Sequence, residues 1–121
     1  MIPAGMKPYP EKHETTAADI LASHFKTNIE FIERNNYKTP DLLINGVRWE
    51  LKSPTGKGKR NIQRQLREGS KQSRNIVFDA RRSKIHIVRI KSELEYQLRL
   101  SRNISRLILI TKTGEVLDLA K

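Results

Sequence analysis

The chain has 121 residues, with 24 Lys and Arg against 13 Asp and Glu and a net charge of +11. This length suits one domain with a single modest core, and the absence of cysteine excludes disulfides, thiolate nucleophiles and Cys-ligated zinc. The longest apolar runs, such as residues 107–110, are far shorter than the about 20 residues of a transmembrane helix, so no membrane binding is expected.

The N-terminal half predicts a helix, a strand and a hairpin. Residues 1–12 begin with a stretch rich in proline and are predicted to be a linker, which leaves residues 13–121 as the domain. Thr15 or Thr16 can cap a helix whose apolar residues recur at helical spacing up to Phe25.

Two strands are predicted beyond a short strand at 29–32. Residues 42–44 and 47–52 flank Asn45-Gly46, a dipeptide that favours a type I′ turn. This half of the chain therefore ends in a β-hairpin.

The middle of the chain predicts a loop, a helix and a strand. Residues 53–59 form a basic loop, and Asn61 can cap a polar helix from 62 to about 72, which leads into a buried strand at 75–79. The Gly-Lys-Gly-Lys of this loop lacks the spacing of a phosphate-binding P-loop.

The C-terminal part predicts a further helix and hairpin. Residues 83–100 fit a helix, although 84–90 also suit a strand, and we favour the helix. Strands at 106–111 and 116–119 complete the chain. The order of elements indicates a single α/β domain with a mixed central sheet flanked by helices.

The positive charge is concentrated in the middle third. Residues 48–89 hold 13 basic and 3 acidic side chains, a net +10, whereas residues 1–47 carry −1 and residues 90–121 carry +2. A basic surface of this kind is typical of proteins that bind a polyanion. The alternatives are a solvated face and a surface for an acidic protein.

Two acids and a lysine are placed for chemistry on the predicted hairpin. Glu50 and Lys52 share one strand face because side chains alternate along a strand, and Asp41 is expected at the level of Glu50 across the turn. Paired carboxylates suit Mg²⁺, and a neighbouring lysine can activate water or stabilise charge on phosphate. Glu14 is a candidate third acid. The alternative is an exposed strand face with ordinary ion pairs.

This spacing resembles the PD-(D/E)xK nuclease superfamily, in which a Pro-Asp and a Glu-x-Lys mark the active site. The wider sequence resembles one branch, the C-terminal tRNA nuclease toxin domains of contact-dependent growth inhibition (CdiA-type) proteins. The resemblance runs from about Glu14 to the C-terminus, and the matching text is residues 14–21, 39–46, 49–54, 71–73 and 75–79.

The resemblance implies a metal-dependent nuclease of PD-(D/E)xK-like fold that cleaves RNA, with tRNA as the expected substrate. Asp41 and Glu50 would bind the divalent cation, expected to be Mg²⁺ with Mn²⁺ or Zn²⁺ as alternatives, and Lys52 would be the catalytic lysine. Glu14 would match the acid of the first helix, with Glu11 as a competitor. A cognate immunity protein, expected to be acidic, and a larger exported bacterial parent that delivers the domain to the cytoplasm of a target cell are also implied.

The basic residues around this motif are the predicted nucleic-acid contacts. Several of them, and Arg74, follow helical spacing that lines them along one face, and phosphates would relieve their mutual repulsion. Gln72 matches the glutamine that is often found in the resembled family on the helix facing the site, where it would hold a phosphate or a metal-bound water. The full set is Lys57, Lys59, Arg60, Arg64, Arg67, Lys71, Gln72, Arg81 and Arg82.

Other assignments remain open from the residues. The same site would serve a DNase, and a non-catalytic nucleic-acid-binding module is a second alternative. If the RNA 2′-hydroxyl were the nucleophile, metal would be dispensable and Lys52 or His13 would matter more. Trp49 is expected in the core, with base stacking as the alternative.

Overall fold

The secondary structure follows the predicted order. The computed structural model describes residues 10–32, 41–58 and 60–119, without the side chain of Asp41, so the predicted linker up to residue 9 lies outside the described residues. The elements are α1 (Lys12–Phe25), β1 (Ile29–Ile32), β2 (Asp41–Ile44), β3 (Val47–Lys52), α2 (Asn61–Ser70), β4 (Asn75–Asp79), α3 (Ile87–Leu100), β5 (Arg106–Ile110) and β6 (Val116–Leu119).

The strands form one six-stranded sheet in the order β1-β2-β3-β4-β5-β6. β3, β4 and β5 are parallel to one another, whereas the pairs β1–β2, β2–β3 and β5–β6 are antiparallel. The prediction of a mixed sheet flanked by helices is confirmed. None of the helices in the described part of the chain has the length and apolar character needed to span a membrane.

Two hydrophobic cores lie on opposite faces of the sheet. On one face, Trp49 and Leu51 of β3 pack with α1, including the buried Leu21. On the other face, α2 and α3 pack their Leu66 and Leu94 over β4 and β5. Trp49 is buried, with the Arg106 guanidinium 4.7 Å from the centre of its ring, so its prediction as a core residue is confirmed.

Helix α1 begins earlier than the sequence predicted. Glu11 is the N-cap and forms a capping box with Glu14, whose Oε1 accepts a hydrogen bond from the Glu11 N–H at 2.7 Å. Thr15 and Thr16 donate instead to the carbonyl of Lys12, each at 2.9 Å. The predicted threonine cap was wrong because the reciprocal Glu11–Glu14 bonds satisfy the end of the helix.

Helix α2 also begins differently. Arg60 is its N-cap residue and Asn61 its first helical residue, so the predicted Asn61 cap was wrong. Asn61 is buried beneath the preceding loop, where a Cβ on Gly56 would lie only 2.9 Å from Asn61 Nδ2. The helix ends at Ser70, and Arg74 lies beyond it with its Nε donating to Ser105 Oγ, which removes Arg74 from the predicted helical stripe.

The ambiguous segment at 83–100 is resolved as a helix over its last fourteen residues. α3 begins at Ile87, and His86 Nδ1 caps it by accepting the Val88 N–H at 3.2 Å. Residues 83–86 are not helical, since Ser83 Oγ accepts the Ile85 N–H in a local turn. The helix was therefore predicted correctly and its start was not.

Candidate active site

The β2–β3 hairpin sets the two acids opposite each other. Asn45 and Gly46 have φ of 52° and 79°, and two consecutive positive φ values are the signature of the predicted type I′ turn. This two-residue turn fixes the register, in which Asp41 and Glu50 are Cα partners. The expectation that the two residues stand at one level is confirmed.

Glu50 and Lys52 form an ion pair inside the protein. The distance from Lys52 Nζ to Glu50 Oε1 is 3.8 Å, with Glu50 0% and Lys52 9% exposed. Removal of charged groups from water is costly unless they are paired. The alternative of an exposed strand face is therefore wrong for these two residues.

Helix α2 covers this pair at Gly69. A Cβ on Gly69 would lie 3.5 Å from Lys52 Cε, 3.6 Å from Glu50 Cγ and 3.1 Å from Ile76 Cδ1. Glycine inside a helix costs about 1 kcal/mol of stability relative to alanine. The short distances to Lys52, Glu50 and Ile76 explain why a residue without a Cβ stands here all the same. Gly69 therefore allows α2 to lie directly on the Glu50–Lys52 pair.

The end of α2 is fastened to β3. The carbonyl of Arg48 accepts hydrogen bonds from Ser73 Oγ at 3.1 Å and from Asn75 Nδ2 at 3.2 Å. Gln72 lies in the chain between the end of α2 and Ser73. It is half-buried, and its backbone N–H donates to the Gly69 carbonyl at 2.9 Å. These bonds keep Gly69 over the ion pair and bring Gln72 to the same end of α2.

The arginines of α2 lie on its other side. At 100° per residue, Arg60 and Arg67 are about 160–180° from Gly69 around the helix, and both are exposed, as is Arg64. Lys57 and Lys71 are exposed as well, whereas Lys59 lies outside the described residues. Arg60, Arg64 and Arg67 are thus separated from the Glu50–Lys52 pair by the thickness of the helix.

Glu14 and His13 lie on the α1 side of the sheet. Glu14 is buried, on the same helical stripe as Ala17 and Leu21, and this stripe packs on the sheet face opposite to Glu50 and Lys52. Burial raises the pKa of Glu14 above its ordinary value of 4.5, against the lowering effects of the Glu11 backbone hydrogen bond and of His13. The structure does not group Glu14 with the Glu50–Lys52 pair.

The raised pKa of Glu14 predicts a pH effect on stability. The folded protein holds the proton of the Glu14 carboxyl more tightly than the unfolded chain does. The stability that this proton contributes to the fold is therefore fully present below about pH 4.5 and is lost as the pH rises through the folded pKa. We therefore expect the melting temperature of Glu14→Gln to rise relative to wild type between about pH 4 and 7. Asp19→Asn, in an exposed acid of α1, controls for charge removal, and a constant difference across this range would contradict the prediction.

A third buried acid, besides Glu14 and Glu50, was not singled out from the sequence. Asp79, at the end of β4, is buried and accepts hydrogen bonds from Arg81 Nε at 3.0 Å and Nη2 at 2.7 Å. The same Nη2 donates to the His13 carbonyl at 2.7 Å, and the hydrogen bond to Asp79 raises the pKa of Arg81. Arg81, a predicted nucleic-acid contact, thus ties β4 to α1, while the exposed Arg82 contacts the His13 ring.

The donors around the hairpin suit a hard cation. Two carboxylates on facing strand positions, Asp41 and Glu50, are the type of ligand that Mg²⁺ takes in proteins. No group of three His, Asp or Glu side chains that could hold a metal ion occurs in the described part of the chain, which does not include the Asp41 side chain. Asp41 and Glu50, which are cross-strand partners, stay the candidate ligands predicted from the sequence.

Comparisons with known proteins show a family and a similar fold. The model of the contact-dependent growth inhibition CdiA C-terminal domain matches residues 38–116. A solved CdiA-CT/CdiI toxin and immunity complex from Burkholderia pseudomallei has a similar fold, with a TM-score of 0.65 and 21% identity over 98% of this chain and 96% of that chain. No curated protein matches the sequence.

Proposed function

Since the chain belongs to the CdiA C-terminal domain family of contact-dependent growth inhibition, it is a toxin domain, and we propose that it is a metal-dependent nuclease that cleaves RNA, with tRNA as its substrate. One observation carries the proposal. Asp41 and Glu50 are cross-strand partners, and Lys52 Nζ lies 3.8 Å from the Glu50 carboxylate.

Hydrolysis of a phosphodiester needs a water to attack phosphorus while the bond to the leaving oxygen breaks. Negative charge then develops on the phosphoryl oxygens, and the Lys52 ammonium is a donor that stabilises it most in the transition state. Glu50, whose Oε1 lies 3.8 Å from Lys52 Nζ, orients the lysine side chain. A divalent cation held by Asp41 and Glu50 would supply an acidic bound water and further neutralise the phosphate.

The arginines of α2 serve binding in this proposal, because they lie on the far side of the helix from Gly69. An α-helix with its side chains is about 10 Å thick, so one phosphate cannot meet both Arg64 and Lys52. The stripe would hold the RNA backbone away from the bond that is cut. Such contacts position nucleic acid with little sequence information.

Arg64→Ala is expected to weaken tRNA binding with kcat unchanged. If Arg64 meets one phosphate, the slope of log affinity against log salt concentration should fall by about 1. Equilibrium binding at several salt concentrations measures this, with Gln63→Ala as the uncharged control on the same exposed face. A fall in kcat with unchanged affinity would contradict the assignment.

The partner and the setting are proposed on the same basis. The solved neighbour is a toxin bound to its immunity protein, which supports a cognate immunity protein as a partner of this chain. The net charge of +11 favours an acidic one. We place the domain at the end of a larger exported bacterial protein, acting in the cytoplasm of a target cell.

Incubation of the purified domain with total tRNA and with plasmid DNA, in Mg²⁺ and in EDTA, tests the proposed activity. We expect tRNA to be cut in Mg²⁺ and to survive in EDTA. Degraded plasmid beside intact tRNA would assign a DNase, and cleavage that persists in EDTA would favour attack by the RNA 2′-hydroxyl. Salt-sensitive binding without any cleavage would identify a non-catalytic module.

A further inference from the structure

Helix α3 carries an unusual exposed apolar face. In the described part of the chain, four large hydrophobic side chains are strongly exposed, and three of them lie on α3: Val88 at 69%, Tyr96 at 50% and Leu100 at 61%. Singly scattered exposed apolar residues are ordinary, whereas grouped ones mark an interaction site. Val88 and Tyr96 line one groove, and Leu100 lines the neighbouring groove toward α2. The exposed face of α3 therefore needs an explanation.

The face is built around Tyr96. The inner side of α3 is buried through residues such as Leu94, and Tyr96, two residues further on, points about 200° away. It lines a shallow groove of about 790 Å³ with Arg89 and Arg99 on either side, together with His86, Val88, Ser92 and Glu93. The Tyr96 ring thus lies between side chains that are mainly basic.

The chemistry of this face favours a protein over RNA. Tyr and Arg are, with Trp, the residues enriched at the energetic centres of protein interfaces, and Val88 and Leu100 gain only from burial against apolar atoms. A phosphate backbone offers few such atoms. Arg89 and Arg99 outnumber the acid of the groove, Glu93, so the complementary surface is acidic.

We propose that the outer face of α3 is the docking surface for the cognate immunity protein, with Tyr96 as its central anchor. Arg89 and Arg99 would pair with acidic residues of that protein around the apolar centre. The inference rests on the partner proposed above and does not depend on nuclease activity.

The size of the helix indicates how docking would inhibit. The fourteen residues of α3 form a helix about 21 Å long and about 10 Å wide. Its outer face is therefore smaller than the roughly 800 Å² that each partner buries in a stable interface. In this proposal the immunity protein extends from α3 over the groove between α3 and α2, which is lined by Arg67, Leu100 and Arg102. It would exclude RNA from the α2 arginines without entering the Glu50–Lys52 site.

Paired binding measurements test this surface. The probes are the purified cognate immunity protein and total tRNA, each titrated against wild type, Tyr96→Ala and Leu100→Ala. We expect Tyr96→Ala to weaken immunity-protein binding about 30-fold and Leu100→Ala to weaken it less, with tRNA affinity within about twofold of wild type. Val47→Ala, in an exposed valine of the β2–β3 hairpin, is the control expected to leave both affinities unchanged.

Two results would overturn the proposal. Unchanged affinity of both α3 variants for the immunity protein would place that partner elsewhere. A loss of tRNA affinity in Tyr96→Ala would assign the face to RNA. All readouts are equilibrium binding, so a domain that cut no RNA would still give a clear answer on α3.

Discussion

Replacing Lys52 by methionine is expected to lower the rate of tRNA cleavage by about 10²–10³-fold, the usual cost of removing one donor from a developing negative charge. The change should also reduce the free energy of unfolding by about 3 kcal/mol, because the buried Glu50 carboxylate loses a cation 3.8 Å away. A domain of ordinary stability, about 5–15 kcal/mol, remains folded at 25 °C after such a loss.

A double variant separates the two effects. Replacement of both members of a buried pair by neutral residues of similar volume is often neutral or stabilising, so Glu50→Gln with Lys52→Met should recover most of the lost stability. Cleavage should stay at least as slow as in Lys52→Met, since the charged groups are still missing. Urea unfolding and tRNA cleavage, measured on the same preparations, check both expectations. Recovery of cleavage in the double variant would mean that the pair is structural only.

Gly69→Val is the second large effect we expect. A Cβ at this position would already contact Lys52 Cε, Glu50 Cγ and Ile76 Cδ1, which leaves little room beneath α2 for the two methyl groups of valine. Overpacking of this kind costs about 1–3 kcal/mol. The valine should displace Lys52 by up to about 1 Å, and a displacement of this size should slow tRNA cleavage by about 10²-fold.

Glu68→Val is the matched control for Gly69→Val. Glu68 is the exposed neighbour of Gly69 on the same helix, so this change brings the helix propensity of valine without a contact to the ion pair. Its cleavage rate should stay close to that of wild type. Equal rates in the two valine variants would show that the approach of α2 does not position Lys52.

Local sequence signals predicted the geometry of the hairpin well. The Asn45-Gly46 turn determines the register within a few residues, and the level placement of Asp41 and Glu50 follows directly from it. The alternation of side chains placed Trp49 in the core. These features depend on contacts between residues close in sequence, which patterns can report.

Features that depend on distant contacts were not predicted. Helical spacing grouped the α2 arginines, but only the packing of α2 over β3 reveals that Gly69 covers Glu50 and Lys52 while the arginines point away. The hydrogen bond from Arg81 to the His13 carbonyl joins residues far apart in the chain. Glu14 was predicted as a third acid because its place in the capping box and its sheet face were unknown.

The proposed nuclease activity depends most on Asp41, the cross-strand partner of Glu50. The most direct measurement is the rate at which wild type and Asp41→Asn cut total tRNA in Mg²⁺, with melting temperatures recorded for both. We expect cleavage by Asp41→Asn to be slower by about 10²-fold or more at a similar melting temperature. Equal cleavage by the two proteins would contradict the account.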